Sequence, residues 1–535
     1  MNAFTIAIVA VLTMATVAAA AQAPARRATK VRNGNWNDTP YGMNAFHPNG
    51  PAPHGHLIHF TDANMARLKE GDIRWVRLML DWRYLEPRPG QFYWDSLDRV
   101  VKMCNDNGIA ISACLYEPPG WATVPGSSWV VTPESLEAFS FAIASRYRDR
   151  IAAYELDNEK ATGTWPQVHE RRTSIYVPML KACYTGIKRG DPNAIVVMTG
   201  IWQFPMYYLE DMYRDGAKDY FDAVNIHYYL GGDRDPTFKD PFRGDLDLVL
   251  KQFDYVTKKY GDGDKPIWFT EYGWPATAES QSNPVGEEKM AQYMKYFLER
   301  CRDSGLVEKC IWYVYYLSDG MALWHERENR KRPAWHEHVA FQKSFPTWKD
   351  LPVRPMPPPP PPATVAATIP NADFEADGGW TPQPQNVNYS FGTAGPQSGS
   401  RFVNIVWQAP TANLVSEIFA IESGRAYELT GWVRMTGGAA NPYTAHAMVE
   451  IELLGADKQP LGIRGPLTGR RGELSTNYYV NETENKWYQI HYNVFVPDNA
   501  RAARIILRLG HRDTKVGQAD FDNIRLEPLD LTKFD

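Results

Sequence analysis

The chain has 535 residues, a formal net charge of −5 and 44% hydrophobic residues. This length and apolar content fit two or more folded domains and exclude a mainly disordered chain. There is no basic surplus, so nucleic acid is not an expected partner. The five cysteines include no C-x-x-C pair, and no H-E-x-x-H motif is present. The sequence therefore predicts buried thiols rather than a zinc site, a redox motif or a disulfide framework.

The first 23 residues have the pattern of a secretory signal peptide. Residues 4–21 carry no charge, Ala21-Gln22-Ala23 has the A-x-A form of a cleavage site, and two arginines follow closely. We expect residues 1–23 to be removed and the mature protein to be secreted or otherwise extracytoplasmic. An uncleaved N-terminal anchor is the alternative, because no Lys or Arg precedes the apolar segment. No other stretch is long and apolar enough to span a bilayer, so no membrane contact is expected after cleavage.

Short apolar runs alternate with longer amphipathic segments across residues 35–351. Helical periodicity marks the segments 95–107, 133–148 and 287–304. This alternation predicts a parallel sheet, and eight such units fit a (β/α)8 barrel. A doubly wound open sheet is the alternative, but it usually has a glycine-rich phosphate loop after its first strand, and none is visible. The apolar runs begin near Tyr41, Trp75, Ala110, Ala152, Ile195, Ala223, Pro266 and Cys310.

Six consecutive prolines, residues 357–362, separate this part of the chain from the rest. Such a run favours an extended polyproline II conformation, so residues 352–368 are predicted to form a semi-rigid spacer. Residues 369–529 contain short strand-like runs separated by polar turns, without convincing helices, which is typical of a β-sandwich. The expected fold is α/β, a (β/α)8 TIM barrel followed by a β-sandwich domain.

Two glutamates close the fourth and seventh apolar runs of the barrel. Glu159 ends the segment Ala153-Tyr154-Glu155-Leu156-Asp157-Asn158-Glu159, and Glu271 follows Ile267-Trp268-Phe269-Thr270. A carboxylate at the end of an apolar strand is unfavourable unless the barrel mouth is polar and functional. Either glutamate alone could simply cap a helix or a turn. Two carboxylates facing each other across one mouth could instead serve as the acid and the nucleophile of glycoside cleavage, in which retention requires a separation of about 5–5.5 Å.

These strand ends resemble those of the clan A glycoside hydrolases, and the similarity extends over the whole N-terminal domain. Asp72-Ile73-Arg74-Trp75-Val76-Arg77-Leu78 is similar to the second-strand region of the clan, and His227-Tyr228-Tyr229 is similar to the His-x-Tyr that ends strand six. Families thirty-nine and five are the most similar. The resemblance implies a retaining β-glycoside hydrolase that acts on oligosaccharides or polysaccharides, with no metal in the active site and no cofactor for catalysis.

The resemblance also implies a role for each matching residue. Glu159 would be the acid/base and Glu271 the nucleophile. Asn158 would bind the 2-hydroxyl of the reacting sugar, and Arg77 and Tyr229 would hold the nucleophile.

The remaining predicted site residues would bridge the two glutamates or contact the sugar. His227 would lie between the two catalytic strands. In place of the Trp that is common on strand eight of the clan, Tyr315 is the candidate here, and Lys160-Ala161 replaces the Pro that often follows Asn-Glu. Each aromatic residue could equally be a packing residue. The candidate sugar platforms are Trp82, Tyr116, Trp121, Trp274 and Tyr315.

The C-terminal domain resembles carbohydrate-binding modules of the family four/nine type. The similar segments are 371–375, 423–434 and 519–524. The resemblance implies a structural calcium ion, for which Glu375 and Asp522 are the oxygen donors available. The two functions that remain open are a secreted retaining hydrolase with an accessory sugar-binding domain, and a non-catalytic carbohydrate-binding or cell-surface protein on a hydrolase-like barrel. The presence of both Glu159 and Glu271 favours the hydrolase.

Overall fold

The structure is a computed structural model. It describes residues 25–45, 60–159, 172–202, 206–229, 235–237, 239, 241–242, 245–278, 284–314, 316–317, 320–325, 328–385, 387–406, 411–436, 446–465, 485–510 and 518–535. The predicted signal peptide and Tyr315 lie outside the described residues. Among the residues described, no helix combines the length and the apolar character that a membrane crossing requires. All five cysteines are buried free thiols, as the sequence predicts.

The N-terminal part is an eight-position parallel barrel surrounded by helices, which confirms the predicted fold. Its sheet has the order β5-β4-β3-β2-β1-β9-β8-β7-β6. The strands β5 and β6 occupy the same position in the barrel, because only residues 198–200 separate them. A bridge from Val197 to Ala223 continues the sheet between β5 and β7. The barrel strands are β1 (Tyr41–Asn44), β2 (Trp75–Asp81), β3 (Ala110–Tyr116), β4 (Ala153–Leu156), β5 (Ile195–Val197), β6 (Ile201–Trp202), β7 (Val224–Tyr228), β8 (Ile267–Tyr272) and β9 (Val307–Trp312).

The barrel helices lie outside the sheet and have local signals at their ends. Asp245 caps α7 by accepting a hydrogen bond from the backbone N–H of Leu248 at 3.0 Å. Pro133 and Pro333 begin α4 and α9, and Gly305 ends α8 with a φ of 69°. The helices are α1 (Asp62–Glu70), α2 (Trp82–Leu85), α3 (Asp95–Asp106), α4 (Pro133–Arg146), α5 (Arg172–Gly190), α6 (Met206–Arg214), α7 (Leu246–Lys259), α8 (Glu287–Ser304) and α9 (Pro333–Ser344).

The floor of the barrel is packed with aromatic side chains. Trp75 and Trp268 are fully buried near the N-terminal ends of β2 and β8, with ring centroids 5.7 Å apart. Trp36, which precedes β1, covers them, with its centroid 5.2 Å from that of Trp75. A floor closed in this way leaves the C-terminal ends of the strands as the open mouth of the barrel. Beside the barrel, β10 (Tyr316–Leu317), β11 (Trp324–His325) and β12 (Arg330–Lys331) form a small sheet.

The C-terminal part consists of two antiparallel sheets, which confirms the predicted β-sandwich. One sheet has the order β14-β15-β23-β18-β21 and the other the order β13-β16-β22-β19-β20, with β17 paired to β22. The strands are β13 (Trp380–Gln383), β14 (Asn388–Gly392), β15 (Phe402–Val406), β16 (Thr411–Ser416), β17 (Phe419–Ala420), β18 (Ala426–Thr436), β19 (His446–Leu454), β20 (Pro460–Gly465), β21 (Tyr488–Phe495), β22 (Ala502–Gly510) and β23 (Gln518–Pro528).

The two parts are joined by more than the proline-rich segment. The N–H of Ala426 donates to the carbonyl of Pro361 at 2.9 Å, and the N–H of Ala363 donates back to the carbonyl of Ala426 at 3.1 Å. On the barrel side, the buried amide of Asn493 in β21 donates to Oε1 of Gln252 in α7 at 2.9 Å. The end of the proline run thus pairs with β18, and β21 contacts a barrel helix, while the assignment of residues 352–368 as a semi-rigid spacer stays a prediction.

Candidate active site

The two predicted glutamates meet at the barrel mouth. Glu159 follows β4, and Glu271 lies in β8. His227, at the mouth end of β7, lies between them. A carboxylate oxygen of each glutamate and a ring nitrogen of His227 all lie within 4.8 Å of one another. The structure therefore brings together three residues that are separated by tens of positions in the sequence.

Arg77 donates hydrogen bonds to four residues at the bottom of this site. Its side chain is fully buried, and Nε and Nη2 donate to the two carboxylate oxygens of Glu155 at 2.7 and 2.8 Å. Nη1 donates to Oε1 of Glu271 at 2.8 Å and to Oδ1 of Asn44 at 3.0 Å. Nη2 also donates to Oδ1 of Asn158 at 2.7 Å. All three guanidinium nitrogens are thus engaged, which fixes the position of Glu271.

Glu271 is held as a carboxylate. In addition to Arg77, the hydroxyl of Tyr229 donates to its Oε2 at 2.7 Å. Burial by itself would raise the pKa of Glu271, but His227, Arg77 and the Tyr229 hydrogen bond together hold that pKa below its ordinary value. An ionised, oriented carboxylate is what a nucleophile requires.

Glu159 has the opposite electrostatic setting. Burial raises its pKa, and the nearby charge of Glu271 adds to the increase, while His227 partly offsets it. Its backbone has a φ of 61°, and that of Asp157 has a φ of 65°. Left-handed backbone at non-glycine residues costs of order 1–3 kcal/mol each and is often found at functional sites. The chain after β4 is therefore bent so that a carboxyl group that favours its protonated form points into the mouth.

His227 lies between the two carboxyl groups. Its Nδ1 is 2.5 Å from Oε1 of Glu159 and 3.6 Å from Oε2 of Glu271. Its Nε2 is 2.9 Å from Oγ1 of Thr270. The ring lies against Gly200, where a Cβ atom would come within 2.1 Å of Nε2. Glycine at this position therefore makes room for the imidazole.

Two of the predicted sugar platforms are corrected by the structure. Trp82 is only 3% exposed and stacks on Phe139 of α4 at a centroid distance of 4.2 Å. Trp274 is 1% exposed and packs edge-on against Phe297 of α8 at 6.1 Å. Both rings belong to the layer between the sheet and the helices, so neither presents a face to a sugar. Tyr116 and Trp121 are partly exposed near the mouth, and their role as platforms stays a prediction.

The structure places a different tyrosine, Tyr313, beside Tyr229. Tyr313 directly follows β9 and is partly exposed, and its ring is perpendicular to that of Tyr229 at a centroid distance of 6.3 Å. Sequence reasoning missed it because the apolar pattern continues past Trp312, where the strand ends. Counting from the true strand end would have selected Tyr313.

Three further polar residues beneath the mouth were also missed. Glu155, Asn225 and Thr270 are fully buried in β4, β7 and β8. Buried polar groups in an apolar strand are unfavourable unless they are hydrogen-bonded. Polar residues within these apolar strands could therefore have indicated a buried hydrogen-bond network. Each of them contacts Arg77, His227 or a residue that does.

The two carboxylates implied as calcium ligands accept hydrogen bonds from backbone and side-chain groups. Oε1 of Glu375 accepts from the backbone N–H groups of Ser400 and Arg401 at 2.7 and 3.0 Å. Oδ2 of Asp522 accepts from two backbone N–H groups, and its Oδ1 is buried without a hydrogen bond. In the part of the chain that the structure describes, neither residue belongs to a cluster of three acidic, histidine or cysteine ligands. The role of Glu375 and Asp522 as calcium ligands stays a prediction.

Comparison with known proteins assigns the barrel to a class. Residues 159–329 match the family model described as a glycosyl hydrolase catalytic core. A search of the curated proteins gives no match.

Solved structures of glycoside hydrolases are similar to this chain. A family 39 glycoside hydrolase from Bacteroides cellulosilyticus WH2 is 13% identical, with a TM-score of 0.46 over 90% of this chain and 82% of that chain. A GH5_18 enzyme from Streptomyces cattleya, in complex with GlcNAc, is 14% identical, with a TM-score of 0.46 over 63% and 83%. The exo-beta-1,4-mannosidase Op5Man5 from Opitutaceae bacterium strain TAV5 is 14% identical, with a TM-score of 0.43 over 57% and 59%. The family model thus supports a glycosyl hydrolase catalytic core that includes residues 159–329 of this chain.

Proposed function

We propose that this chain is a secreted β-glycoside hydrolase that retains the anomeric configuration by double displacement. The proposal rests on one observation above all. Two carboxyl groups face each other across the barrel mouth, and their surroundings move their pKa values in opposite directions, that of Glu159 upwards and that of Glu271 downwards. Such a difference separates an acid from a nucleophile in one site.

The separation of the two groups supports retention. Oxygens of Glu159 and Glu271 lie within 4.8 Å of each other. Retaining enzymes have carboxyl groups about 5–5.5 Å apart, whereas inverting enzymes leave about 6.5–9.5 Å for a water molecule between acid and base. This short separation supports the retaining arrangement rather than the inverting one.

The first displacement forms a covalent intermediate. A carboxylate oxygen of Glu271 attacks the anomeric carbon, and the bond from that carbon to the leaving oxygen breaks. Glu159 donates its proton to the leaving oxygen as the bond breaks. Arg77 and Tyr229 keep Glu271 oriented for the attack. Asn158 binds Arg77 through its oxygen, which leaves its amide N–H2 to donate to the 2-hydroxyl of the sugar.

The second displacement releases the product. Glu159, now ionised, removes a proton from a water molecule as the water oxygen attacks the same anomeric carbon. The bond to Glu271 breaks, Glu271 returns to its carboxylate form and Glu159 is protonated again. Because each displacement inverts the carbon once, the product keeps the β configuration.

Export and carbohydrate binding complete the proposal. Arg26 and Arg27 lie three and four residues after Ala23. Arg26 donates to the carbonyl of Leu351 at 2.8 Å, and Arg27 pairs with Asp254. Cleavage after Ala23 would therefore leave the folded barrel complete. We further propose that residues 35–351 are the catalytic domain and that residues 369–529, the sandwich, bind the oligosaccharide or polysaccharide substrate.

The stereochemistry of the first product tests the proposed function. A panel of aryl β-glycosides identifies a cleaved sugar, and 1H NMR then follows the anomeric proton of the product before mutarotation. We expect the β anomer to appear first. The Glu159→Gln and Glu271→Gln variants are the matched controls for contaminating activity. A first-formed α anomer from the wild-type enzyme would overturn the double-displacement mechanism.

A further inference from the structure

A chain of hydrogen bonds supports His227 from below. The side-chain N–H2 of Asn225 donates to the carbonyl of Met198 at 3.1 Å. Oδ1 of Asn225 lies 3.2 Å from the backbone nitrogen of Thr270 and 2.8 Å from Oγ1 of Thr270. Oγ1 of Thr270 in turn lies 2.9 Å from Nε2 of His227. All these side chains are fully buried, so water does not compete for the contacts.

Backbone groups determine the orientation of Asn225. A backbone carbonyl can only accept a hydrogen bond, so the side-chain atom that faces Met198 must be the nitrogen. A backbone N–H can only donate, so the atom that faces Thr270 must be the oxygen. Two independent backbone contacts thus agree on one orientation of the amide, and Oδ1 is an acceptor towards the Thr270 hydroxyl.

The hydroxyl of Thr270 has one proton, and both of its other partners are acceptors. One is Oδ1 of Asn225 at 2.8 Å and the other is Oε1 of Glu155 at 3.4 Å. Both oxygens of Glu155 accept hydrogen bonds from Arg77, so Glu155 faces Thr270 as an acceptor. The hydroxyl therefore donates its proton to one of these oxygens. A lone pair of Oγ1 must then accept a hydrogen bond from the Nε2–H of His227.

The consequence appears on the other side of the ring. A neutral imidazole with its proton on Nε2 presents a lone pair at Nδ1, and this atom lies 2.5 Å from Oε1 of Glu159. A contact this short between two acceptors requires one proton between them. We propose that Asn225 and Thr270 are positioning residues that fix His227 as its Nε2–H tautomer, so that Nδ1 and Glu159 share a single proton in the resting enzyme.

This arrangement deepens the proposed function and rests on it. A positively charged His227 lowers the pKa of Glu159. The neutral Nε2–H ring instead can only accept from Glu159 at Nδ1, which favours the protonated acid before the first displacement. After Glu159 has donated its proton, its carboxylate faces the Nδ1 lone pair without a donor from the ring. The carboxylate is then a better base towards water in the second displacement.

Three other charged groups face His227. Glu155 lies 3.9 Å from Nε2, Glu271 lies 3.6 Å from Nδ1, and Arg77 is the neighbouring cation. Burial lowers the pKa of His227, but Glu271 and Glu159 outweigh it and raise the pKa overall. The shared proton can therefore reside on either His227 or Glu159, while the proton on Nε2 stays in place.

The test compares two substitutions at Thr270 that differ mainly in the hydroxyl. Thr270→Val keeps the shape and removes the hydroxyl, so the ring can adopt the Nδ1–H tautomer and donate to the Glu159 carboxylate. This donation lowers the pKa of Glu159. We expect the basic limb of the kcat/KM profile to move to lower pH by about one unit. Thr270→Ser keeps the hydroxyl, and we expect its basic limb to stay at the wild-type position.

A spectroscopic measurement on the wild-type protein is independent of turnover and of any folding defect in the variants. In a 15N spectrum the His227 signals, identified by their loss in His227→Gln, should show a protonated Nε2 and an Nδ1 without a fixed proton. A wild-type ring with its fixed proton on Nδ1 would overturn the proposal, as would an unchanged basic limb in Thr270→Val. If the product anomer is inverted while Nε2 is protonated, the proposed function fails and the tautomer assignment stands.

Discussion

The β4 side and the β8 side of the barrel mouth present the same residue type in different surroundings. On the β8 side, Glu271 accepts hydrogen bonds from Arg77 and Tyr229, and its pKa is lowered despite burial. On the β4 side, Glu159 follows a strained turn and faces an imidazole nitrogen, and burial raises its pKa. In the proposed mechanism, the partners of each glutamate, rather than its residue type, therefore distinguish the acid from the nucleophile.

Removing the β8 carboxylate should have the largest effect. In Glu271→Gln no nucleophile remains, so we expect kcat to fall by at least about 10⁴-fold on every substrate, whatever its leaving group. The measurement is steady-state kinetics on aryl β-glycosides, with circular dichroism to show that the variant is folded. Turnover near the wild-type rate would remove Glu271 from its role.

Removing the β4 carboxyl group should have an effect that depends on the leaving group. In Glu159→Gln we expect a loss of about 10²–10⁴-fold on substrates with poor leaving groups, because these need proton donation. With a 2,4-dinitrophenyl glycoside the first displacement should be nearly normal, and a burst of phenolate should precede slow turnover. A loss that is equal for good and poor leaving groups would contradict the acid role.

Arg77→Lys should affect the β8 side more than the β4 side. A lysine keeps the charge but cannot donate to Glu155, Glu271 and Asn158 together, so we expect kcat/KM to fall by about 10²-fold. Because the guanidinium lowers the pKa of Glu271, its loss should move the acidic limb of the kcat/KM profile to higher pH. A pH profile from pH 3 to 9 checks this shift. An acidic limb at the wild-type position would show that Arg77 does not hold the nucleophile.

Tyr229→Phe should have the smallest effect. It removes one hydrogen bond to a charged oxygen of Glu271, which we expect to lower kcat about tenfold and to raise the pKa of Glu271 slightly. The acidic limb should move in the same direction as in Arg77→Lys but by less. If the basic limb moves instead, the hydroxyl acts on Glu159 rather than on Glu271.

Much of the barrel could be predicted because strands buried on both faces have continuous apolar runs. Seven of the expected run starts lie within one residue of a strand start, and β9 begins at Val307, three residues before Cys310. Glu159 and Glu271 could be predicted because the strand ends share one mouth. Their hydrogen-bond partners could not, since the contact of Arg77 with Glu155 depends on the register of strands 78 positions apart in the chain.

The aromatic platforms show where sequence reasoning failed. Trp82 and Trp274 lie at strand ends, but a position at the end of a strand does not determine whether a side chain points to the mouth or to the helix layer. The two tryptophan rings instead pack against Phe139 and Phe297, which lie on helices that are distant in the sequence. The proline run, residues 357–362, was predicted to be a spacer from its own conformational preference. Its pairing with Ala426 depends on a tertiary contact that local preference does not contain.

Azide rescue of the two alanine variants tests the division of roles most directly. With an activated aryl β-glycoside, azide should restore turnover of Glu159→Ala by attacking the covalent intermediate on Glu271, and the product should be the β-glycosyl azide. In Glu271→Ala, azide should enter the space left by the nucleophile and give the α-glycosyl azide. NMR of the two azides distinguishes them. The reverse pattern, an α-azide from Glu159→Ala and a β-azide from Glu271→Ala, would contradict the assignment of the acid and the nucleophile.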